Sequence, residues 1–341
     1  MSHDPISTKS FTSSSLLATP LLACILALCS LTNAFAAGWD VQTHNGKKYV
    51  SATNVKTFYG FTQMKKSGNV VELRNKKVLM KITANSQTCY LNKVKFIFSY
   101  PVISRGGKTL VSLMDLTKLI DPILRPNYIP NAKGFRTVII DPGHGGKDAG
   151  AVNSLGTEAG YNLKVARIVR DQLKTRGFNV IMTRDSNRYL TLQQRVNLAN
   201  KYANSIFISI HFNAGGRNKA RGLETFTLSP VGVAHYGRGV KSSDYKTRNG
   251  NFQDSANIAL ATAIHGRALE RTRTAGVPDR GIKRARYSVL TSIKHPAVLI
   301  EGGFMSNPTE ARLIHTAAYQ KAIGTSISEG IIRYRNALNA R

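Results

Sequence analysis

Apolar residues follow two different patterns in the two halves of the chain. Up to about residue 130 the apolar runs are short and alternate with polar residues, as in 94–98, which is typical of strands with one buried face. After residue 136 near-continuous apolar runs such as 137–141 and 205–210 alternate with stretches of helical spacing. The pattern predicts a small α+β domain followed by an α/β domain with a mostly parallel sheet flanked by helices.

The second half contains a regular series of predicted elements. Strands are predicted at 137–141, 179–183, 205–210 and 297–300, and helices at 163–176, 192–203, 256–275 and 317–338. In the first half, strands are predicted at 70–73, 78–82 and 94–98. Two similar strand-to-helix units are predicted at 49–60 and 110–120, with Ser, Asn or Asp as N-caps.

The N-terminus has the features of an export signal. Its apolar run, 16–31, is shorter than the ~20 residues of a membrane span and is followed by the small-x-small sequence Ala34-Phe35-Ala36. The sequence therefore predicts a signal peptide at 1–36 and an exported protein, in the periplasm or, alternatively, secreted to the cell wall. A retained anchor helix and a lipoprotein at Cys24 or Cys29 are the alternatives.

Two further boundaries follow from composition. The segment 122–134 holds three Pro, two Asn and one Gly, which is typical of a linker. We therefore predict a small α+β module at 37–123, a linker at 124–135 and a main domain at 136–341. Removal of the signal leaves Cys89 as the single cysteine, so neither an intramolecular disulfide nor a Cys-rich zinc site is expected.

The chain is strongly basic, with 48 Lys and Arg against 18 Asp and Glu and a formal net charge of +30. The excess is +12 over residues 37–133 and +18 over 134–341. A basic excess in both parts indicates a polyanionic partner, which for an exported protein is an anionic cell envelope. Solubility alone is the simpler explanation.

Three predicted strands end in residues that can carry chemistry. His144 follows the strand at 137–141, His211 follows 205–210 and Glu301 follows 297–300. Carboxyl ends of parallel strands meet at one edge of a sheet, where Glu158 is a fourth candidate. Two imidazoles and a carboxylate are a common ligand set of zinc hydrolases, and a further carboxylate can act as general base. Asp148 is a competing carboxylate, although its position in a Gly-rich loop favours turn bonding.

The motifs DPGHGGKDAGA, SIHFNA and VLIEGGFMSNPTEARLI stand in this order. With Glu158 between the first and second, they resemble the zinc-dependent N-acetylmuramoyl-L-alanine amidases over residues 136–338. The resemblance implies one Zn²⁺ on His144, Glu158 and His211, with Glu301 as catalytic residue. It further implies cleavage of the amide between muramic acid and L-alanine in peptidoglycan. The loop before Glu158 is one residue shorter than usual, and Ala159 replaces a basic residue.

The resemblance also bears on partners. Some members carry a helical insertion between the positions of His211 and Glu301 that blocks the site until an activator displaces it. Here 235–253 is a moderate loop, so no built-in block is expected, while an activator protein stays a candidate partner. Asn213 and Arg284 are candidate substrate contacts, with a loop hydrogen bond and a solvated cation as the simpler interpretations. The other histidines (44, 235, 265, 295, 315) are interpreted as structural or solvated.

Residues 40–123 resemble the N-terminal domain of copper amine oxidase-like and cell-wall proteins, which implies a wall-binding or targeting module. No copper ligand cluster is present in that segment. Three alternatives to a peptidoglycan amidase remain open. They are a non-catalytic wall-binding protein, a zinc hydrolase with another substrate, and a nucleic-acid binder. The export signal and the lack of a recognisable binding module oppose nucleic acid, and no membrane span is expected after signal cleavage.

Overall fold

The structure, a computed structural model, describes residues 38–130, 132 and 134–340. The predicted signal peptide, with Cys24 and Cys29, lies outside the described residues. From Val41 onwards the chain forms one compact unit. Among the residues that the structure describes, no helix combines the length and the hydropathy needed to cross a membrane.

Seventeen strands are present in the described part of the chain. In chain order they are β1 (Val41–His44), β2 (Lys47–Ser51), β3 (Gln63–Ser67), β4 (Val70–Arg74), β5 (Leu79–Thr83), β6 (Thr88–Leu91), β7 (Val94–Ile97), β8 (Ile103–Arg105), β9 (Lys108–Ser112), β10 (Thr137–Pro142), β11 (Val152–Asn153), β12 (Gly156–Thr157), β13 (Asn179–Met182), β14 (Ser205–Asn213), β15 (Leu223–Leu228), β16 (Asp279–Ala285) and β17 (Ala297–Phe304).

The α-helices of the described residues lie mainly in the second half. They are α1 (Ala52–Phe58), α2 (Leu113–Asp115), α3 (Asp121–Leu124), α4 (Glu158–Lys174), α5 (Leu192–Ala199), α6 (Asp254–Thr272), α7 (Ser288–Ser292), α8 (Pro308–His315) and α9 (Ala317–Asn339). A π-helical segment, Leu116–Ile120, connects α2 and α3, and short 3-10 turns lie at Pro126–Tyr128, Gly216–Asn218, Ser242–Tyr245, Asn249–Gln253 and Arg273–Ala275.

The two predicted strand-to-helix units are confirmed, and they are neighbours. Strand β2 leads into α1 and β9 leads into α2, and the two strands pair antiparallel inside a four-stranded sheet. Each helix begins at a serine whose hydroxyl accepts a backbone N–H three residues on: Ser51 from Asn54 at 3.1 Å and Ser112 from Asp115 at 3.0 Å. The shared pattern in the sequence therefore reflects a shared capped turn.

One sheet of eleven strands runs through both parts of the chain. Its order is β13-β10-β14-β17-β15-β16-β7-β6-β5-β4-β3. From β13 to β7 the neighbours are parallel except β15 and β17, which are antiparallel, and from β7 to β3 all are antiparallel. The prediction of a mostly parallel sheet flanked by helices is confirmed for the main domain. The strands of the N-terminal part extend it at one edge.

Helices cover the sheet and build its cores. On one side α9 packs against α6 and α4, and on the other a cluster around Phe207, Phe226 and Leu299 packs against residues of α5 and α7. The linker is anchored too, because the ring of buried Phe135 stacks on Phe178 and Tyr334 with centroids 6.1 and 5.8 Å away.

The pattern missed two central strands and misjudged two helix ends. Helix α4 begins at Glu158, before the predicted 163, and α5 ends at Ala199 instead of 203. Strands β15 and β16 escaped prediction because they hold buried charged residues, among them Glu224 and Lys283. These two side chains pair with each other at 2.6 Å, a compensation that only the tertiary structure reveals.

Candidate active site

His144 lies in a glycine-rich loop directly after β10, which we call the ligand loop (residues 143–151). The backbone of His144 adopts a left-handed conformation with φ of 60°, which residues other than glycine rarely adopt. A Cβ at Gly143 would overlap the imidazole of His211. The absence of that atom lets the loop lie directly against the end of β14, where His211 is located.

Glu158 is the first residue of α4, directly after the capping residue Thr157. Its Oε1 atom lies 3.1 Å from Nε2 of His144 and 2.9 Å from Nδ1 of His211. One ligand atom from each of the three residues lies within 4.8 Å of the others. The structure thus brings together the three predicted ligands in what we call the His–Glu–His cluster, which could hold a metal ion.

The surroundings of the cluster fit a metal ion. Two nitrogens and one carboxylate oxygen are a common donor set of catalytic zinc sites. A Cβ at Gly150 would lie 2.6 Å from Oε2 of Glu158 and 2.7 Å from Cδ2 of His144, so glycine makes room for the cluster. Hydrogen bonds reach Glu158 from the backbone N–H of Ala151 at 3.0 Å and of Phe212 at 3.3 Å, which fixes its carboxylate.

Asp148 lies on the outer side of His144 and is not part of the cluster. Its Oδ2 is 2.9 Å from Nδ1 of His144, while Oδ1 accepts the N–H of Gly150 at 3.1 Å. A carboxylate in this position accepts a hydrogen bond from the N–H of one imidazole nitrogen, which leaves the other nitrogen free to bind a metal. Asp148 therefore combines the predicted turn bonding with orientation of His144.

The charges of the cluster are coupled. Burial by itself favours the neutral carboxyl of Glu158, but hydrogen bonds from His144 and His211 outweigh it and hold the pKa of Glu158 well below its usual range. The carboxylate form is the one that binds metals. The site therefore presents an ionised ligand even though Glu158 is only 6% exposed.

Glu301 lies on β17, paired in register with His211 of β14 on one side and with Glu224 of β15 on the other. It is buried, and none of the described residues supplies a hydrogen-bond partner for its Oε2 atom. Burial, reinforced by the charges of Glu158 and Glu224, raises the pKa of Glu301 well above its usual range. A buried carboxyl with a free oxygen beside the His–Glu–His cluster is suited to proton transfer.

The two predicted substrate contacts have different positions. Asn213, two residues after His211, donates at 3.3 Å to Oε2 of Glu224, the residue that is paired in register with Glu301. Arg284 is buried and donates to Thr227 Oγ1 at 3.0 Å and to the carbonyl of Lys118 at 2.5 Å. The structure therefore does not bring Arg284 to the His–Glu–His cluster; its side chain connects β16 with the N-terminal part.

Several charged residues around the site were missed by the sequence analysis. Glu224 accepts from Lys283 and Arg280, next to Glu301. Arg184 and Arg195 are buried under the ligand loop and donate to its backbone. The position of Arg184, directly after a predicted strand, could have marked it as a candidate site residue. The sequence pattern does not show, however, that these charged side chains are buried.

Four of the remaining histidines have local partners, whereas none of the described residues bonds to the buried Nε2 of His295. His265 is 1% exposed and bonds to Thr225 and Asp279, and His235 accepts the N–H of Arg286. His315 bonds to the hydroxyl of Tyr161 at 3.0 Å, and His44 contacts the ring of Tyr49. These contacts agree with the structural interpretation.

A mixed α/β sheet that carries a His–Glu–His cluster and a buried glutamate at one edge defines an α/β protein with a candidate metal-dependent acid–base centre. Comparison with known proteins identifies the family. Residues 138–333 match the family model Amidase_3, N-acetylmuramoyl-L-alanine amidase. The chain belongs to this family, and it is an enzyme that hydrolyses the bond between N-acetylmuramic acid and L-alanine in peptidoglycan.

Curated proteins and solved structures agree with this assignment. N-acetylmuramoyl-L-alanine amidase AmiA of Escherichia coli is 32% identical over 271 residues, which are 71% of this chain and 93% of that protein. The germination-specific N-acetylmuramoyl-L-alanine amidase of Bacillus subtilis is 34% identical over 213 residues, 58% of this chain and 79% of that one. The structure of the amidase AmiC2 of Nostoc punctiforme, 28% identical, covers 60% of this chain and 99% of its own, with a TM-score of 0.50.

Proposed function

We propose that this amidase is a zinc enzyme in which His144, Glu158 and His211 hold the metal and Glu301 is the catalytic residue. The observation that carries the proposal is the convergence of the three ligand atoms within 4.8 Å beside the unpartnered Oε2 of Glu301. Zinc supplies positive charge that polarises a carbonyl and makes water more acidic. The same positive charge favours the ionised form of Glu301, against the effect of burial.

Glu301 is the residue that moves the proton in this proposal. Its free Oε2 takes a proton from the attacking water as oxygen adds to the lactyl carbonyl carbon. The same oxygen then delivers that proton to the nitrogen of L-alanine as the C–N bond breaks. The products are a muramic acid carboxylate and a stem peptide with a free amine. In this proposal Asn213, whose side-chain amide donates to Glu224, also hydrogen-bonds the substrate beside the reacting amide.

The test is release of stem peptides from purified peptidoglycan sacculi, followed by mass spectrometry with and without a chelator and with zinc added back. We expect zinc-dependent release of peptides with a free L-alanine amine. Glu301→Gln keeps the size of the side chain but not its basicity, so release should fall by about 10²–10⁴-fold. Glu270→Gln, a change at an exposed carboxylate of α6, serves as the matched control and should leave the rate unchanged.

The outcomes separate the competing functions. Release that survives removal of every metal would refute the zinc proposal. A zinc-loaded chain that binds sacculi but releases nothing would indicate a wall-binding protein or a missing activator. Between Ser229 and Gln253 the described residues form only 3-10 turns and loops, which supports an enzyme without a built-in blocking helix. Addition of extracts from the host cell would then reveal an activator.

We propose further that the chain is exported to the periplasm or cell wall, where peptidoglycan is located, and that residues 37–123 bind the wall. The basic excess of this part supports binding to an anionic envelope, and every residue of strand β3, which includes Lys65 and Lys66, is exposed. N-terminal sequencing of the protein from cell fractions tests export and should find a start at Ala37. Sacculus binding that does not weaken with salt would contradict the electrostatic part.

A further inference from the structure

Two buried arginines, Arg184 and Arg195, donate hydrogen bonds to the backbone of the ligand loop. Arg184 follows β13 and is 1% exposed, and Arg195 lies on α5 and is 3% exposed. Both are among the most deeply buried charged residues of the described chain, and neither belongs to the His–Glu–His cluster. Burial of a cation is costly unless its donors are satisfied. The donors of both guanidinium groups are satisfied by backbone carbonyls and by Asp141.

Arg184 joins the two segments that carry His144 and Glu158. Its Nε donates to the carbonyl of Pro142 at 3.0 Å. Its Nη2 donates to the carbonyl of Gly143 at 2.7 Å and to that of Ala159 at 2.9 Å. One guanidinium therefore holds the residue before His144 and the residue after Glu158 at a fixed separation.

Arg195 holds His144 itself. Its Nη2 donates to the carbonyl of His144 at 2.7 Å, and its Nη1 donates to the carbonyl of Pro142 at 2.8 Å and to Oδ1 of Asp141 at 2.7 Å. Asp141 in turn accepts from Thr183 at 2.6 Å and from Ser209 at 3.0 Å. Asp141 at the end of β10 thus orients Arg195, and Asp141 is itself held by Thr183, directly after β13, and by Ser209 of β14.

The conformation of His144 shows why such contacts are needed. Its φ of 60° is unfavourable for a residue with a Cβ, and it persists only where the surroundings hold the backbone in place. The carbonyls on both sides of this bend, those of Gly143 and His144, are the ones that the arginines bind. A lysine cannot replace them, because its single ammonium group lacks the planar, two-directional donors of a guanidinium.

We propose that Arg184 and Arg195 are positioning residues that hold His144 and Glu158 at metal-binding separation. The inference rests on the proposed metal site, since it assigns these arginines the task of preparing the cluster before the metal arrives. It concerns the affinity and geometry of the site, in addition to the rate of the reaction. Removing either guanidinium should loosen the ligand loop and weaken metal binding.

The test compares zinc affinity in the full chain for the wild type, Arg184→Lys and Arg195→Lys. Competition with a fluorescent chelator gives the affinity, and the visible spectrum of the Co²⁺-loaded protein reports ligand geometry. The matched control is Arg286→Lys, because Arg286 is also a largely buried arginine whose Nη2 donates to three carbonyls, those of Pro230, Val233 and Asp244. None of these bonds reaches the cluster.

We expect zinc to bind about 10–100-fold more weakly to Arg184→Lys and Arg195→Lys, with an altered cobalt spectrum. Arg286→Lys should lose thermal stability but keep the zinc affinity and spectrum of the wild type. Equal affinity in all four folded proteins, or equal losses in all three variants, would overturn the inference. A wild type that binds no zinc would instead refute the metal site on which it rests.

A milder variant covers the case in which a lysine variant does not fold. Thr183→Val conserves shape but removes one of the hydrogen bonds that orient Asp141, and through it Arg195. Its zinc affinity should fall by less than about tenfold while the spectrum shifts in the same direction. Unchanged affinity and spectrum in folded Thr183→Val would contradict the role of the Arg195 network.

Discussion

At the scale of single residues, the site depends on glycine for space. Gly150 has a φ of +65°, and a Cβ there would meet both Glu158 and His144. Gly177, just after α4, has a similar φ of +76°, but no atom of a residue other than its chain neighbours lies within 4 Å of the position of its Cβ. The two glycines therefore share a backbone requirement, and only Gly150 also has a steric one.

Gly150→Ala should disable the site while Gly177→Ala should not. The added methyl group displaces two ligands of the proposed metal, and a displacement of about 1 Å costs about 100-fold in rate. Both variants carry the strain of a left-handed alanine, about 1 kcal/mol, so both melting temperatures should fall. That of Gly150→Ala should fall further, because its methyl group also clashes with neighbouring atoms. Zinc affinity and peptide release separate them. Equal activity of the two would mean that the ligand loop adapts to the extra atom.

At the scale of elements, the helical layer on one side of the sheet depends on close approach. Helix α9 contacts α4 and α6 at two glycines. A Cβ at Gly324 would lie 2.7 Å from Cγ2 of Ile168, and one at Gly330 would lie 2.5 Å from Cα of Ile264. The second contact is to backbone, which cannot rotate away. By contrast Gly266 of α6 has only Val94, at 3.7 Å, beside its Cβ position.

Gly330→Ala should destabilise the protein, whereas Gly266→Ala should not. In the middle of a helix alanine is favoured over glycine by about 1 kcal/mol, and Gly266→Ala should gain up to that amount. Overpacking costs about 1–3 kcal/mol, so after subtraction of the gain in helix propensity we expect a net loss of up to about 2 kcal/mol for Gly330→Ala. Urea denaturation monitored by circular dichroism gives both values. A stabilised Gly330→Ala would show that α9 moves away from α6 at no cost.

At the scale of the whole molecule, the N-terminal part and the main domain share a sheet. Strand β7 pairs with β16 at Phe96 and Ile282. Next to this pair Asp279 accepts the N–H of Lys95 at 2.8 Å, and it also bonds to His265 of α6 at 3.0 Å. These contacts, together with the anchored Phe135, connect the two parts through buried groups.

We therefore expect the two parts to unfold together. Differential scanning calorimetry of the chain should show one transition whose calorimetric and van't Hoff enthalpies agree. Asp279→Ala removes the bonds to Lys95 and His265 and should lower the melting temperature of that single transition. Two separate transitions in the wild type would mean that residues 37–123 form an independent domain despite the continuous sheet.

Much of the fold could be predicted because it depends on local pattern. The strands at 137–142 and 205–213 are apolar along most of their length, and Ser51 and Ser112 mark the helix starts. Strands β15 and β16 could not be predicted, because Glu224 and Lys283 look like loop residues until their pairing across the sheet is known. The position of Arg284 could not be predicted either. The sequence does not show whether a positively charged side chain is buried, or on which side of a sheet it lies.

The sequence by itself determined the family, through its ordered motifs, and the fold class, through its hydrophobic pattern. It also indicated that residues at the strand ends lie close together, because a parallel sheet brings the carboxyl ends of its strands to one edge. The tertiary structure alone decided that Glu158 contacts both histidines, that Asp148 orients His144 from outside, and that Arg184 and Arg195 hold the loop between them. The reason is physical. Hydrophobic periodicity reports which face of an element is buried, whereas distances between polar groups far apart in the chain are set by how the elements pack.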